Sequence, residues 1–124
     1  MSLQLKTLKK PNYLIAKFAG AGNLEEVSQQ FDLLTIRCLE AKKNRLLIDV
    51  SAIRTVAEFS ERYRAGERAV VFAHNAIRIA MVGTRRQVDP KLLGELVARN
   101  RGVDGRVFTD LAAAKQWLLE EPES

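Results

Sequence analysis

The chain has 124 residues, 47% of them hydrophobic and 28% charged, with a net charge of +5, a size and balance that predict one soluble domain over residues 1–124, folded without disulfides or metals. No apolar run approaches the ~18 residues of a membrane span, and no repeat or low-complexity tract is present. The basic surplus forms no arm, with ten basic and seven acidic residues up to Arg62 and ten and eight beyond it, so nucleic acid is not an expected partner.

At the amino end, LQLKTL and YLIAKF alternate apolar and polar residues across KKPN, the spacing of an antiparallel hairpin. The stretch lacks the continuous apolar segment of a signal peptide, and Cys38 has no second cysteine to pair with, so a cytoplasmic, reducing address is expected. Asn23, with Glu26 three residues on, reads as the N-cap and capping box of a first helix. Its apolar stripe is Leu24, Val27, Phe31, Leu34 and Cys38. Cys38 closes that stripe, where a small core side chain is the expectation and a reactive thiol is not.

RLLIDV, apolar almost throughout, predicts a central strand covered on both faces. After SAIRTVA, the residues Phe59, Tyr63, Gly66, Val70 and Ala73 recur at helical spacing and are expected to form the inner face of a second helix. Glu58, Glu61, Arg62, Arg64, Glu67 and Arg68 face mostly outward, with Glu58 and Arg62 spaced for an ion pair. This helix should end near His74 and Asn75, where the helix dipole accounts for the histidine as well as a catalytic role does. AIRIAMVG predicts another central strand, ending at Gly83. TRRQVDP then leads to a helix capped by Asp89, with Pro90 in its first position and Leu92, Leu93, Leu96 and Val97 buried. RGVDGRVFT supplies a turn and a last short strand. Thr109 or Asp110 caps the closing helix through Leu111, Ala114, Trp117 and Leu118, and the tail EEPES is expected to fray.

This order predicts an α/β fold: a mixed sheet of four or five strands, an antiparallel hairpin followed by parallel strands, with about four helices packed on it. In such sheets the loops beyond the carboxyl ends of the parallel strands hold the functional residues. Here they gather Asp49, Ser51, Arg54, Thr55, Thr84, Arg85, Arg86 and Asp89 toward one rim, beside the amino ends of helices that favour anions. Asp, Ser and Thr at strand ends equally serve to tie loop N–H groups. One histidine and one cysteine make no metal set. GTRRQV lacks the spacing and lysine of a phosphate-binding loop, and FAGAGN completes no dinucleotide fingerprint. Neither a catalytic motif nor a cofactor is therefore expected.

The runs LLIDVSAI, ERYRAGERAV, IRIAMVG and above all VARNRGVDGRVFTDLAAAKQWL resemble the SpoIIAA-like family, small bacterial proteins related to STAS domains and to CRAL-TRIO lipid-transfer modules. The likeness covers most of the chain and is strongest over residues 46–119. It implies an α/β fold of four or five strands and a non-catalytic role. STAS anti-anti-sigma proteins carry a phosphorylatable Ser or Thr at the amino end of the helix after a strand like LLIDV. Asp49 and Ser51 match the start of that pattern. An ungapped match then sets Ala57 against its aspartate and Phe59 against the phosphoacceptor. Ser60 is left as the single candidate, one position late and rotated by about 100° on a helix.

The expected function is a non-enzymatic regulatory or protein-interaction module without the usual phosphoacceptor. It would present the second helix and adjacent loops to a protein partner or a second copy, and an exposed apolar patch would mark it. The alternative is a carrier or sensor of a small hydrophobic, lipid-like or anionic ligand, with a cavity lined by Phe59, Tyr63, Val70 and Met81. An enzyme is the weakest reading, suggested only by Arg85 and Arg86 beside a helix start.

Overall fold

The turn at residues 10–13 closes with the Lys10 N–H donating to the Tyr13 carbonyl at 2.9 Å. It sets β1 (Leu3–Lys9) antiparallel to β2 (Leu14–Gly20), as the alternation predicts. The structure, a computed structural model, describes residues 3–121; the fraying expected of the tail therefore falls, for residues 122–124, outside the described residues. Beyond β2, parallel pairing adds β3 (Arg45–Ile53), β4 (Arg78–Val82) and β5 (Gly105–Phe108). The sheet order is β1-β2-β3-β4-β5.

Strands that follow one another across the sheet in sequence order put every right-handed crossover on the same face. The buried cluster on that face joins Val27, Phe31, Leu34, Phe72 and Ala98 of the connecting helices to Leu46, Ile48 and Val50 of β3. The opposite face is covered by α6 (Leu111–Leu119), whose Ala114 and Leu118 pack on Ile15, Leu47, Ala80 and Val82. β3 thus sends alternate side chains into two cores, which explains why its sequence is nearly all apolar. Among the described residues, no helix is long and apolar enough to cross a membrane.

The connecting helices differ from expectation in three ways. The first is two pieces, α1 (Leu24–Ser28) and α2 (Phe31–Glu40). Asn23 caps it as predicted, accepting from the Glu26 N–H at 2.9 Å. At its end the Ser28 hydroxyl donates to the Glu25 carbonyl at 2.9 Å, and the Gln30 N–H reaches only three residues back, to Val27. A side chain bonding back to the helix and a tightened turn both bend the axis.

The second is likewise divided at Ala69, into α3 (Phe59–Arg68) and α4 (Val70–His74), and ends at Asn75 as expected. Its inner face is not the one the large side chains suggest. Ala65, Gly66, Ala69 and Phe72 are buried, whereas Phe59 is 70% and Tyr63 40% exposed. The helix makes a close contact with α5 (Leu93–Asn100): a methyl group on Gly66 would lie 2.7 Å from both the Gly94 carbonyl and Val97. Only small residues fit that seam at Gly66. Nor do Glu58 and Arg62 pair; the Glu61 carboxylate accepts from the Glu58 N–H at 3.2 Å, and Arg62 donates to the Gln87 carbonyl at 3.2 Å.

The third begins at Leu93 and not at Pro90. Asp89 accepts from the N–H groups of Lys91 (3.0 Å) and Leu93 (3.2 Å), so it ties the turn ahead of the helix without forming its N-cap. Leu96, expected inside, is 53% exposed. At the last helix Asp110, and not Thr109, is the cap, accepting from Ala112 at 3.2 Å.

Candidate functional rim

The carboxyl ends of β3 and β4 feed two irregular segments, residues 54–58 and 83–92. The second is tied to the end of β3 by Gln87. Its amide nitrogen donates to the carbonyls of Val50 (2.9 Å) and Ile53 (2.8 Å), and its oxygen accepts from the Thr84 N–H at 2.8 Å. Arg62 holds the same residue from α3 through its carbonyl. Nothing in RRQVD marks this role, because a glutamine that satisfies strand-end carbonyls belongs to no motif.

The predicted rim residues divide by what they already bond. One carboxylate oxygen of Asp49 accepts from the Ser51 N–H at 2.9 Å and the Ser51 hydroxyl at 2.6 Å, which pairs these two with one another. The Thr55 hydroxyl donates to the Gly22 carbonyl at 2.9 Å, and the Thr84 hydroxyl accepts from the Gln87 N–H at 3.3 Å. Hydrogen bonds from the N–H groups of Lys91 and then Leu93 hold the Asp89 carboxyl below its ordinary pKa. The carboxylates of this rim are thus committed to their own loops. Arg54, Arg85 and Arg86 are exposed and have no carboxylate partner among the described residues. The rim therefore presents guanidinium groups whose charge is not locally neutralised.

Apolar surface adjoins it. Val56, at 39% exposure, precedes α3, and Phe59 and Tyr63 follow one helical turn apart on the outside of that helix. The Arg101 guanidinium lies 5.8 Å from the Tyr63 ring centroid and its Nη2 is 3.6 Å from Glu67. Ser60 is exposed in the first turn of α3, with Phe59 before it. On the far side of the helix, Glu25 of α1 pairs with Arg64 and Arg68, each at 2.6 Å, and these hydrogen bonds, Arg64 first, lower the Glu25 pKa.

Beneath α3 and α5 lies a half-open cavity of about 140 Å³ whose lining is mainly apolar. Met81 lines it as expected. Phe59, Tyr63 and Val70 do not; the cavity is walled instead by Ile48, Val50, Ile79 and Val107.

An antiparallel hairpin followed by three parallel strands, with crossover helices on one face and a carboxyl-terminal helix on the other, is the STAS fold of the anti-sigma factor antagonists. The chain superposes on the crystal structure of an anti-sigma factor antagonist from Mycobacterium paratuberculosis with a TM-score of 0.59, at 9% identity over 95% of each chain. It superposes on a serine-to-glutamate variant of RsbS from Moorella thermoacetica with a TM-score of 0.57, at 18% identity over 93% of this chain and 94% of that one. The likeness in three dimensions bears out the SpoIIAA-like, STAS-type fold expected from the sequence. No protein-family model and no curated protein sequence matches the chain.

Proposed function

We propose that the chain is a non-enzymatic regulatory module of the cytoplasm that acts by binding another protein chain through the amino-terminal half of α3 and the rim beside it. The observation that carries this reading is the exposure of Phe59 and Tyr63 on a helix whose Arg62 donates to the Gln87 carbonyl, one residue beyond the exposed Arg85 and Arg86. Apolar rings with unneutralised guanidiniums at their border form a surface that gains by being covered, and aromatic and arginine side chains contribute most to interface energies. The fold neighbours include an anti-sigma factor antagonist, and a role of that kind, direct binding that occupies a regulator, suits this surface. Regulation does not run through the usual phosphoacceptor, because Phe59 takes its place and Ser60 sits one position further round the helix.

The test compares the unaltered protein with Phe59→Asp and with an Arg85→Glu, Arg86→Glu double variant, each used to capture partners and each sized by light scattering. A stoichiometric partner, whether a different protein or a second copy, should be held by the unaltered chain and lost by both variants. Retention of the partner by Phe59→Asp would remove this surface from consideration.

A further inference from the structure

We propose that the cavity between the helix-covered face of the sheet and the α3–α5 pair is a binding site for a compact apolar molecule about the size of one aromatic ring. The cavity is half-open to solvent, and its volume of about 140 Å³ is close to the ~150 Å³ of an apolar cavity that takes up benzene. The proposal is independent of the partner surface on the outside of α3.

The space follows from how the layers pack. Helices α3 and α5 meet each other at Gly66 and Gly94, where a methyl group added to Gly94 would lie 3.2 Å from the Arg62 carbonyl. Below that seam, Met81 and Val107 are register partners on β4 and β5 and point to the same face. Both are only half-buried although helices cover that face. Such positions in a finished core are filled to crystal-like density; here both side chains line the cavity.

The roof carries strain. Leu92 lines the cavity with φ of 51°, a left-handed conformation that costs a non-glycine residue ~1–2 kcal/mol. The Asp89 carboxylate, bonded to the N–H groups on either side of it, holds it there. Strain of this sort gathers at ligand clamps.

The polar side chains on the wall select the ligand class. Gln87 is bonded to three backbone groups and Asp89 to two. The Glu95 carboxylate accepts from the Val107 N–H at 2.8 Å and lies 4.0 Å from Arg99. Arg62, also on the wall, donates to the Gln87 carbonyl, and the Arg106 guanidinium lies 5.9 Å from the Trp117 ring centroid. Groups so engaged offer little to an ionic ligand. A single ring or a short branched chain fits.

Benzene is the probe. In a titration of methyl-labelled protein, saturable shifts are expected at Ile48, Ile79, Met81, Leu92 and Val107, with exposed Ile36 and Leu39 unmoved, and the melting temperature should rise with benzene. Two variants that fill the space from opposite sides, Val107→Phe and Ala65→Leu, should weaken binding about tenfold or more, since an apolar site must keep room for the ring. Shifts that do not saturate, shifts that appear at Ile36 and Leu39, or unchanged binding in a folded variant would each overturn the proposal. Should neither variant fold, the titration of the unaltered protein decides.

Discussion

Cys38 is fully buried, and burial pushes its thiol pKa up to about 11. The thiolate is the reactive form, so a thiol reagent at mildly alkaline pH should label the native protein only as fast as the chain opens, and the denatured protein at once. Equal rates would contradict the burial. The same shift makes a statement about stability. A group whose folded pKa is raised contributes fully below its unfolded value and loses that contribution as pH rises through the folded one. Denaturant midpoints should therefore fall between about 9.0 and about 11, with a shallower fall in Cys38→Ala. This residue was legible in the sequence because it closes an apolar stripe. The rim aspartates were legible only as alternatives: a strand-end carboxylate that ties a loop and one that awaits a ligand have the same sequence, and the hydrogen bonds of Asp49 and Asp89 decide for the tie.

Elements follow the sequence closely wherever large apolar side chains do the packing, as in the hairpin, β3, β4 and the cap of α1. They depart from it where glycine does. On α3 the predicted inner stripe holds at Gly66, which sets the contact with α5, and fails at Phe59 and Tyr63, which stand exposed. Gly66→Ala tests the seam. Its new methyl group would meet backbone and Val97 at 2.7 Å, an overpacking expected to cost ~1–3 kcal/mol in denaturant titrations. A neutral result would mean that α3 and α5 can part freely. The tie from α1 to α3 is electrostatic and predicts an acid limb. Because Arg64 and Arg68 lower the Glu25 pKa from 4.5, its contribution is present above that value and is lost as pH falls through the depressed one. Glu25→Gln should flatten the stability profile below about 4.5 while leaving the neutral-pH fold intact by circular dichroism.

At the scale of the whole molecule, the alternation of strands and helices was enough to give the parallel sheet, and the rule for strand ends points to the loops beyond β3 and β4 as the candidate rim. A cavity was expected with Met81 in its wall, but the rest of its lining was not legible, since Ile48, Val50, Ile79 and Val107 come together only in the folded sheet. Neither was the placement of α6, whose apolar residues suit either face. Besides the packing of Ala114 and Leu118, a pair of arginines at the amino ends of β3 and β4 holds α6 to the far face. The Arg78 guanidinium lies 3.8 Å from the Trp117 ring centroid and donates to the Glu120 carbonyl at 3.1 Å, while Arg45 donates to the Leu119 and Glu120 carbonyls at 3.4 Å. Carbonyls at a helix end have no partner within the helix, so these donors complete it. Trp117 is the single tryptophan and reports the contact directly. Arg78→Ala should shift its emission to the red and destabilise the fold by about 1–3 kcal/mol, the sum of a cation–π contact and a hydrogen bond. Lysine at this position restores the charge but not the planar stacking, and should recover only part of the loss. Because the sheet lies between this clamp and the α3–α5 seam, the Gly66→Ala and Arg78→Ala effects should add to within about 0.5 kcal/mol. A larger coupling energy in that cycle would mean that the sheet passes strain from one helical layer to the other, and the two faces would have to be treated as a single mechanical unit.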